Sequence, residues 1–228
     1  LIGKYKFNIE YKKLERIICK WFVFSQLTQR YTSSPESIYE QDLVRFRQKE
    51  TDFVGVLNSI MNSELTEDYW KITLPQRLVS SVNNYAGKVY TVSKIDEGNN
   101  ILFSKAKLRE QLSPDVNTIK KSIEVHHIFP KNYLIKNGIT DKTKYNQQAN
   151  KIYIEYSDNI KIRDQSPSEY WPLMLDDFES DYEREEIINN YTEYYDLPHE
   201  FWNMDYFEFL EARRKLMAKS IRNYFERL

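Results

Sequence analysis

The stretch SIEVHHIFPKNYLIKNGITDKTKYNQQANKIYIEYSDNIKIR, residues 122–163, decides the fold of this 228-residue chain. Its first part, SIEVHHIFP, is rich in β-branched and apolar side chains and ends at Pro130, which predicts a strand that runs into a loop. A polar segment with an Asn-Gly turn signal follows, and KIYIEY then alternates as a second strand. SDNIKIRD predicts a short helix, capped at Ser157 or Asp158. The predicted order is strand, long loop, strand and short helix.

The rest of the chain has the pattern of packed helices. Apolar side chains recur every three to four residues, and a Ser-Pro pair at 34–35 and a capping box at Ser166 are typical helix starts. The predicted helices cover about 9–30, 35–48, 51–62, 104–112 and 205–227, with others after Pro75 and Ser166 and a break near Pro198. The predicted fold class is mainly α with a small embedded ββα motif, hence α+β. We expect a helical scaffold over 1–118, the motif over 119–165, and a helical part over 166–228 packed on the same domain.

The composition argues against several classes of protein. Aromatic residues make up 15% of the chain and glycines number only 5, which speaks against a glycine-rich barrel or a disordered chain. No apolar run reaches the ~18 residues that cross a bilayer, and no signal peptide is visible, so no membrane partner is expected. The single cysteine, Cys19, excludes an intrachain disulfide, and its apolar neighbours predict a buried core residue of a cytoplasmic protein. Because the first residue is Leu1, we expect the chain to be a piece of a longer protein.

The charge is unevenly distributed, although the net charge is only −1. Residues 120–163 hold 9 basic and 4 acidic side chains, a net of +5, whereas residues 164–211 hold 1 basic and 15 acidic side chains, a net of −14. Clustered positive charge is typical of a surface that binds phosphates. The acidic block would repel DNA, so we expect it to lie away from the substrate.

Two adjacent histidines and two asparagines stand out within the basic block. His126 and His127 end the first predicted strand, and Asn150 and Asn159 flank the second, nine positions apart. Hydrolysis of a phosphodiester needs an activated water, and a neutral imidazole can accept its proton. A divalent ion can stabilise the charge on the phosphate and on the leaving oxygen. Neighbours on a strand point to opposite sides, so we expect the two histidines to take two roles, one as metal ligand and one as base.

The donor types favour an open, hydrated metal site. Mg²⁺ keeps several waters when few side chains bind it, and one imidazole with one amide oxygen leaves most positions open. Imidazole is softer than carboxylate, so Mn²⁺ or another divalent transition metal would serve at least as well. Two histidines without cysteine make a poor closed zinc site.

VHHIFP followed by QANKIYIEYSDNIKI resembles the HNH, or ββα-metal, nuclease motif. The resemblance implies that His126 and Asn159 bind the metal, that His127 is the general base, and that Asn150 fastens the loop that orients it. His126 stands where the commonest pattern has Asp, which bears on metal preference. Asn146 is an alternative to Asn150 but lies outside the nine-residue spacing.

Motifs outside the core extend the resemblance over roughly residues 20–172. The chain looks like the C-terminal half of GmrSD-type proteins, which are bacterial modification-dependent restriction and phage-defence enzymes, in the motifs RYTSSPES, ITLPQRL, LFSK, HHIFPKNYL, ANKIYIEYSDNIKI and PSEYWP. The resemblance implies a DNA endonuclease whose N-terminal ParB-like nucleotide-sensing domain is absent from this chain. DNA and that domain are the expected partners.

Several other residues have both a functional and a structural interpretation. Candidates for contacts with phosphates are Lys131, Lys151, Lys161 and Arg163, although a solvated surface accounts for them almost equally well. Aromatic residues in the C-terminal part could stack on bases, but at helical spacing a core is favoured: Tyr170, Trp171, Trp202, Phe207 and Phe209. The third histidine, His199, is expected to be structural.

Two competing functions are left open by the sequence. One is a nucleic-acid-binding or regulatory module with an HNH-like fold that does not cleave. The other is a helical interaction domain with a structural metal. The presence of all four motif residue types favours an active endonuclease over both.

Overall fold

The structure is a computed structural model that describes residues 10–48, 52–80, 84–113, 123–178 and 180–228. The helices are α1 Tyr11–Thr28, α2 Pro35–Gln48, α3 Phe53–Glu64, α4 Leu74–Arg77, α5 Tyr85–Asp96, α6 Leu108–Leu112, α7 Lys131–Lys136, α8 Lys142–Tyr145, α9 Tyr156–Ile162, α10 Pro167–Asp176, α11 Asp181–Tyr195 and α12 Tyr206–Arg227. The strands are β1 Ile123–His127 and β2 Lys151–Glu155. A π-helical turn, Tyr69–Thr73, runs into α4, and 3₁₀ turns cover Gln148–Asn150 and Phe201–Asn203. The described chain is therefore mainly helical with one small sheet, as predicted.

Local capping explains where several helices begin. Helix α2 begins at Pro35, as predicted. Helix α10 follows the predicted capping box, in which the Ser166 N–H donates to the Glu169 carboxylate at 2.8 Å. The Asp205 carboxylate accepts hydrogen bonds from two backbone N–H groups in the first turn of α12. Each cap satisfies backbone donors that a helix leaves unpaired at its start.

Strands β1 and β2 pair antiparallel, with His127 directly opposite Lys151. Both predicted strands are confirmed. A third segment extends the edge, because Leu102 forms a parallel bridge with Ile154. Leu102 and Ile154 are both almost completely buried, so this edge of the sheet is covered by the protein's own chain rather than exposed.

Helix α9 begins at Tyr156, immediately after β2, and this corrects the predicted cap at Ser157 or Asp158. Glu155 is the last extended residue, with ψ 148°. Asp158 lies inside the first turn instead, where a carboxylate is favoured by the partial positive charge of the helix N-terminus. Asn159 is therefore inside the helix rather than at its start, one turn away from the end of β2.

The segment between the strands is more ordered than the predicted long loop, since it contains α7 and α8. Gly138, with φ 86°, follows the end of α7 and adopts a backbone conformation that side chains disfavour. The Asp141 carboxylate accepts a hydrogen bond from the Thr143 N–H at 2.8 Å and caps α8. These turns bring residues 142–150 back towards the end of β1.

One apolar core joins the N-terminal helices, the sheet and the C-terminal helices. Helix α1 contributes Ile17, Phe24 and Leu27, which are buried. The prediction for Cys19 was wrong, since it is exposed. Its neighbour Phe22 is also 63% exposed, because the buried stripe of α1 is narrower than its apolar composition suggested. No helix in the described ranges is long and apolar enough to cross a membrane.

Candidate metal centre and nucleic-acid interface

His126 on β1 and Asn159 on α9 meet, although 33 residues separate them. The His126 Nδ1 atom lies 2.7 Å from the Asn159 Oδ1 atom. The meeting follows from the ββα arrangement, in which α9 packs against both strands. These are the two residues that the motif resemblance implies as metal ligands.

Glu124 is a member of this cluster that sequence reasoning missed. Its Oε2 atom accepts a hydrogen bond from Asn159 Nδ2 at 2.6 Å. Because Nδ2 donates to Glu124, the Oδ1 atom of the same amide is directed at His126. Glu124 and His126 are two residues apart on β1 and so share a face of the strand; that spacing was the signal available in the sequence.

The imidazole of His126 is held in its neutral form. Burial lowers its pKa to about 4, while the hydrogen bond to Asn159 acts in the opposite direction. The ring lies 6.0 Å from the ring of Tyr170 at an angle of 87°, and its Nε2 atom is buried without a hydrogen-bond partner. A neutral imidazole has a lone pair with which to bind a metal at physiological pH.

The geometry of this pair suits a divalent ion. Adjacent ligands about 2.1 Å from an octahedral Mg²⁺ lie roughly 3 Å from each other, close to the 2.7 Å between His126 Nδ1 and Asn159 Oδ1. Because the amide oxygen can only accept, the 2.7 Å contact places a hydrogen on His126 Nδ1. A bound ion would take the place of this hydrogen, with the imidazole in the tautomer that carries hydrogen on Nε2. No group of three or more His, Cys, Asp or Glu residues in the described chain could hold a metal. The donor set therefore fits an ion that is mostly hydrated, rather than a closed zinc site.

His127 lies on the opposite side of β1 and has different surroundings. Its Nε2 atom lies 3.3 Å from the Asn146 Oδ1 atom. Since an amide oxygen can only accept, this contact favours the tautomer with hydrogen on Nε2, and Nδ1 keeps its lone pair. Asn146 was considered only as a substitute for Asn150, so its role here was not predicted.

Two lysines place positive charge near His127, and a third lies near one of them. Burial lowers the pKa of His127, and the charges of Lys151 and Lys131 lower it further. Burial also lowers the pKa of Lys151, and Lys142 adds to the effect. Among the described residues, ion pairs engage lysines elsewhere, such as Lys136, but none includes these three. This uncompensated charge next to a neutral imidazole is suited to a bound phosphate.

Asn150 is fully buried and links two loop segments through its amide. Its Oδ1 atom accepts from the Phe129 N–H at 2.8 Å. Its Nδ2 atom donates to the Phe129 carbonyl at 3.0 Å and to the Tyr145 carbonyl at 3.1 Å. The amide thus ties the chain just after His127 to the end of α8, and it faces neither solvent nor the His126–Asn159 pair.

The structure separates the four predicted phosphate-binding residues into two groups. Lys131 and Lys151 lie near His127, as described above. Lys161 instead pairs with the carboxylates of Asp177, at 2.9 Å, and Asp158, at 3.4 Å. Arg163 is exposed and ends α9 with φ 54°.

The aromatic residues considered for base stacking pack mainly in the core. Tyr170, Trp171 and Phe209 are at most 3% exposed. The Trp171 ring stacks on Trp202 with the ring centroids 5.7 Å apart, whereas Phe207 is 46% exposed. The core interpretation therefore accounts for most of this set.

Arg213 of α12 fastens the start of β2 and was not singled out from the sequence. It is fully buried, and its NH1 group donates to the carbonyls of Ala149 and Lys151, each at 2.8 Å. These carbonyls flank Asn150 on both sides. The C-terminal helix thereby fixes the backbone on which Asn150 and Lys151 stand.

Comparison with known proteins gives a distant similarity and no family. A curated protein to which the chain is similar is the uncharacterized protein MJ0686 of Methanocaldococcus jannaschii, at 27% identity over 201 residues. The similarity covers 88% of this chain and 32% of that protein, so the chain spans about a third of its length. No family model and no solved structure matches the chain.

Proposed function

We propose that this chain is the nuclease part of a metal-dependent DNA endonuclease of the HNH type. The observation that carries the proposal is the contact between His126 Nδ1 and Asn159 Oδ1 at 2.7 Å. It joins the two side chains that the sequence motif predicts as metal ligands. Their chemistry and separation fit one hydrated Mg²⁺, Mn²⁺ or similar ion.

His127 and its neighbours, at the same end of β1 as His126, would bind the phosphate and transfer the proton. The neutral imidazole would accept a proton from the attacking water at Nδ1, while Asn146 holds the hydrogen on Nε2. Lys131, Lys142 and Lys151 would neutralise the phosphate and its neighbours. When bound, the divalent ion would stabilise charge on the phosphate and on the leaving oxygen.

We further propose that the substrate is DNA in modification-dependent restriction or phage defence, and that an N-terminal ParB-like domain controls the nuclease. The motif resemblance supports both statements. The alternative is a module that binds nucleic acid through the same lysines without cutting it. The lysine cluster is compatible with both functions, but the Glu124–Asn159–His126 arrangement favours cleavage, because phosphate binding alone does not require it.

A plasmid-nicking assay tests the proposal. We expect conversion of supercoiled to relaxed DNA with Mg²⁺ or Mn²⁺, no conversion with EDTA, and a loss of roughly 10²–10⁴-fold in rate for His127→Ala. His199→Ala is the matched control, since it removes an exposed histidine outside the site. Titration of Mn²⁺ into the DNA-free protein should show binding that is weakened by Asn159→Ala. Metal-independent nicking, or equal rates for the two histidine variants, would refute the endonuclease.

A further inference from the structure

A cavity of about 120 Å³ lies against the sheet and reaches Val125, two residues before the proposed catalytic histidine on β1. Its wall includes Val125, Lys151 and Tyr153 of the sheet. Val125 is directly opposite Tyr153, and His127 is directly opposite Lys151. Paired residues of an antiparallel sheet share a face, as do residues two apart on a strand. Three of the four sheet residues in the wall therefore share the face of His127, and Ile152 is the fourth. Lys151 both lines the cavity and is the cross-strand partner of His127.

The chemistry of the cavity wall is aromatic and cationic. The described residues that line it include no aspartate and no glutamate. Four tyrosines and four cationic residues contribute to the wall: Tyr90, Tyr153, Tyr194, Tyr195, Lys88, Lys94, Lys151 and Arg213. Asp196 and Glu97 compensate Lys94 from outside the wall, at 2.8 and 2.9 Å. Such a wall is suited to an aromatic ring that carries acceptor atoms and is joined to a negative group.

Arg213 is a fully buried part of the cavity wall. Its two terminal nitrogens donate to backbone carbonyls of residues 149, 151 and 195. Its Nε atom is buried and has no hydrogen-bond partner among the described residues. A buried donor without an acceptor is unfavourable, but this atom has no surface that a ligand in the cavity can reach. Donors to a ligand would therefore come from the other cationic side chains of the wall. Carbonyl oxygens on the edge of a nucleobase are acceptors of the kind that Lys binds in nucleic acids.

We propose that this cavity receives one pyrimidine base of the DNA strand, turned out of the helix, next to the phosphate that is cut at His127. The placement beside a scissile phosphate rests on the proposed function. An enclosed space of ~150 Å³ holds a benzene molecule, so about 120 Å³ matches a single six-membered ring. The tyrosines would contact the faces of the ring, and Lys88 of the wall would donate to a base carbonyl. Lys151 would reach the adjoining phosphate, as in other sites that read an extruded base.

The test compares two neighbouring positions on α5. Thr91 lines the cavity, whereas Val92 is 45% exposed and does not. Thr91→Phe places a ring in the cavity, and Val92→Phe places the same ring in solvent. The dissociation constants of both variants and of the unaltered chain are measured in EDTA, with a thymidylate hexamer, with the same hexamer lacking all its bases, and with thymidine monophosphate. Thermal unfolding verifies that the variants are folded.

The unaltered chain and Val92→Phe are expected to bind the thymidylate hexamer about tenfold more tightly than the baseless hexamer. Thr91→Phe should bind the two hexamers equally. Equal binding of both hexamers by the unaltered chain would overturn the base site, as would an unchanged preference in Thr91→Phe. If thymidine monophosphate binds as tightly as the thymidylate hexamer, the cavity binds free nucleotides rather than a base of a DNA strand, and the proposal is also overturned.

Plasmid nicking, measured on the same three proteins with Mn²⁺, separates this proposal from the proposed function. If the chain nicks DNA but binds both hexamers equally, only the proposal of a base in the cavity is refuted. Base-dependent binding that Thr91→Phe abolishes, in a chain that does not nick, would refute the endonuclease and support the cavity. The two failures are therefore distinguishable.

Discussion

Replacement of Asn150 by alanine should destabilise the whole chain rather than only slow a reaction. The side chain is fully buried and makes three hydrogen bonds, at 2.8, 3.0 and 3.1 Å, to the backbone of Phe129 and Tyr145. Each bond is worth about 1 kcal/mol, and buried groups left unpaired cost at least as much. We therefore expect Asn150→Ala to lower the free energy of unfolding by about 3 kcal/mol. For a chain of this length, that corresponds to a fall in Tm of roughly 6–12 °C.

The measurement is urea unfolding followed by tryptophan fluorescence, with Asn146→Ala as the matched control. Asn146 is half-buried, and its side chain makes a single contact, at 3.3 Å, with His127. Its replacement should lower the free energy of unfolding by less than about 1 kcal/mol, yet reduce nicking because His127 loses the group that holds its tautomer. If Asn150→Ala costs less than about 1 kcal/mol, or if both variants lose equal stability, the amide does not fasten the loop in the way described.

Three further outcomes follow from the contacts of the site and the surface. Glu124→Ala should weaken Mn²⁺ binding by about 10–100-fold, because the Asn159 amide loses the acceptor that orients it; unchanged affinity in calorimetry would show that Glu124 does not position the ligand. The logarithm of the association constant for duplex DNA falls linearly with the logarithm of the salt concentration, and Lys142→Gln should make this slope less steep by about 0.9. An unchanged slope would show that Lys142 does not contact a phosphate. Hydrogen bonds from Arg222 lower the pKa of Glu67 from 4.5 to about 2, so the stability from this pair should be present above pH 4.5 and lost as the pH falls towards 2. Glu67→Gln should flatten that part of the pH–stability curve, and an identical curve would show that the pair contributes nothing.

The lysine cluster near His127 also bears on the distribution of charge along the chain. Residues 120–163 carry a net charge of +5, and residues 164–211 carry −14. Lys161 is already paired with Asp177 from the acidic block, whereas no ion pair of the described residues includes Lys131, Lys142 or Lys151. Binding to DNA by this chain is expected to be weak and confined to low salt, because few phosphates can be neutralised.

The sequence by itself determined the elements whose signals are local. Alternating β-branched residues predicted β1 and β2, a Ser-Pro pair predicted the start of α2, and a capping box predicted α10. The candidate site residues His126 and Asn159 were also found this way, because a motif preserves spacing along the chain. Such signals depend on backbone preferences within a few residues, and those are set by the neighbouring side chains alone.

Only the tertiary structure decided which side chains surround that motif. Glu124, Asn146 and Arg213 acquire their roles from contacts with residues 35, 19 and 62–64 positions away. The exposure of Cys19 was likewise decided by which face of α1 meets the core, since apolar residues occur on both faces. The physical reason is that burial, hydrogen-bond partners and charge compensation depend on segments brought together by folding, and one strand or helix does not carry that information.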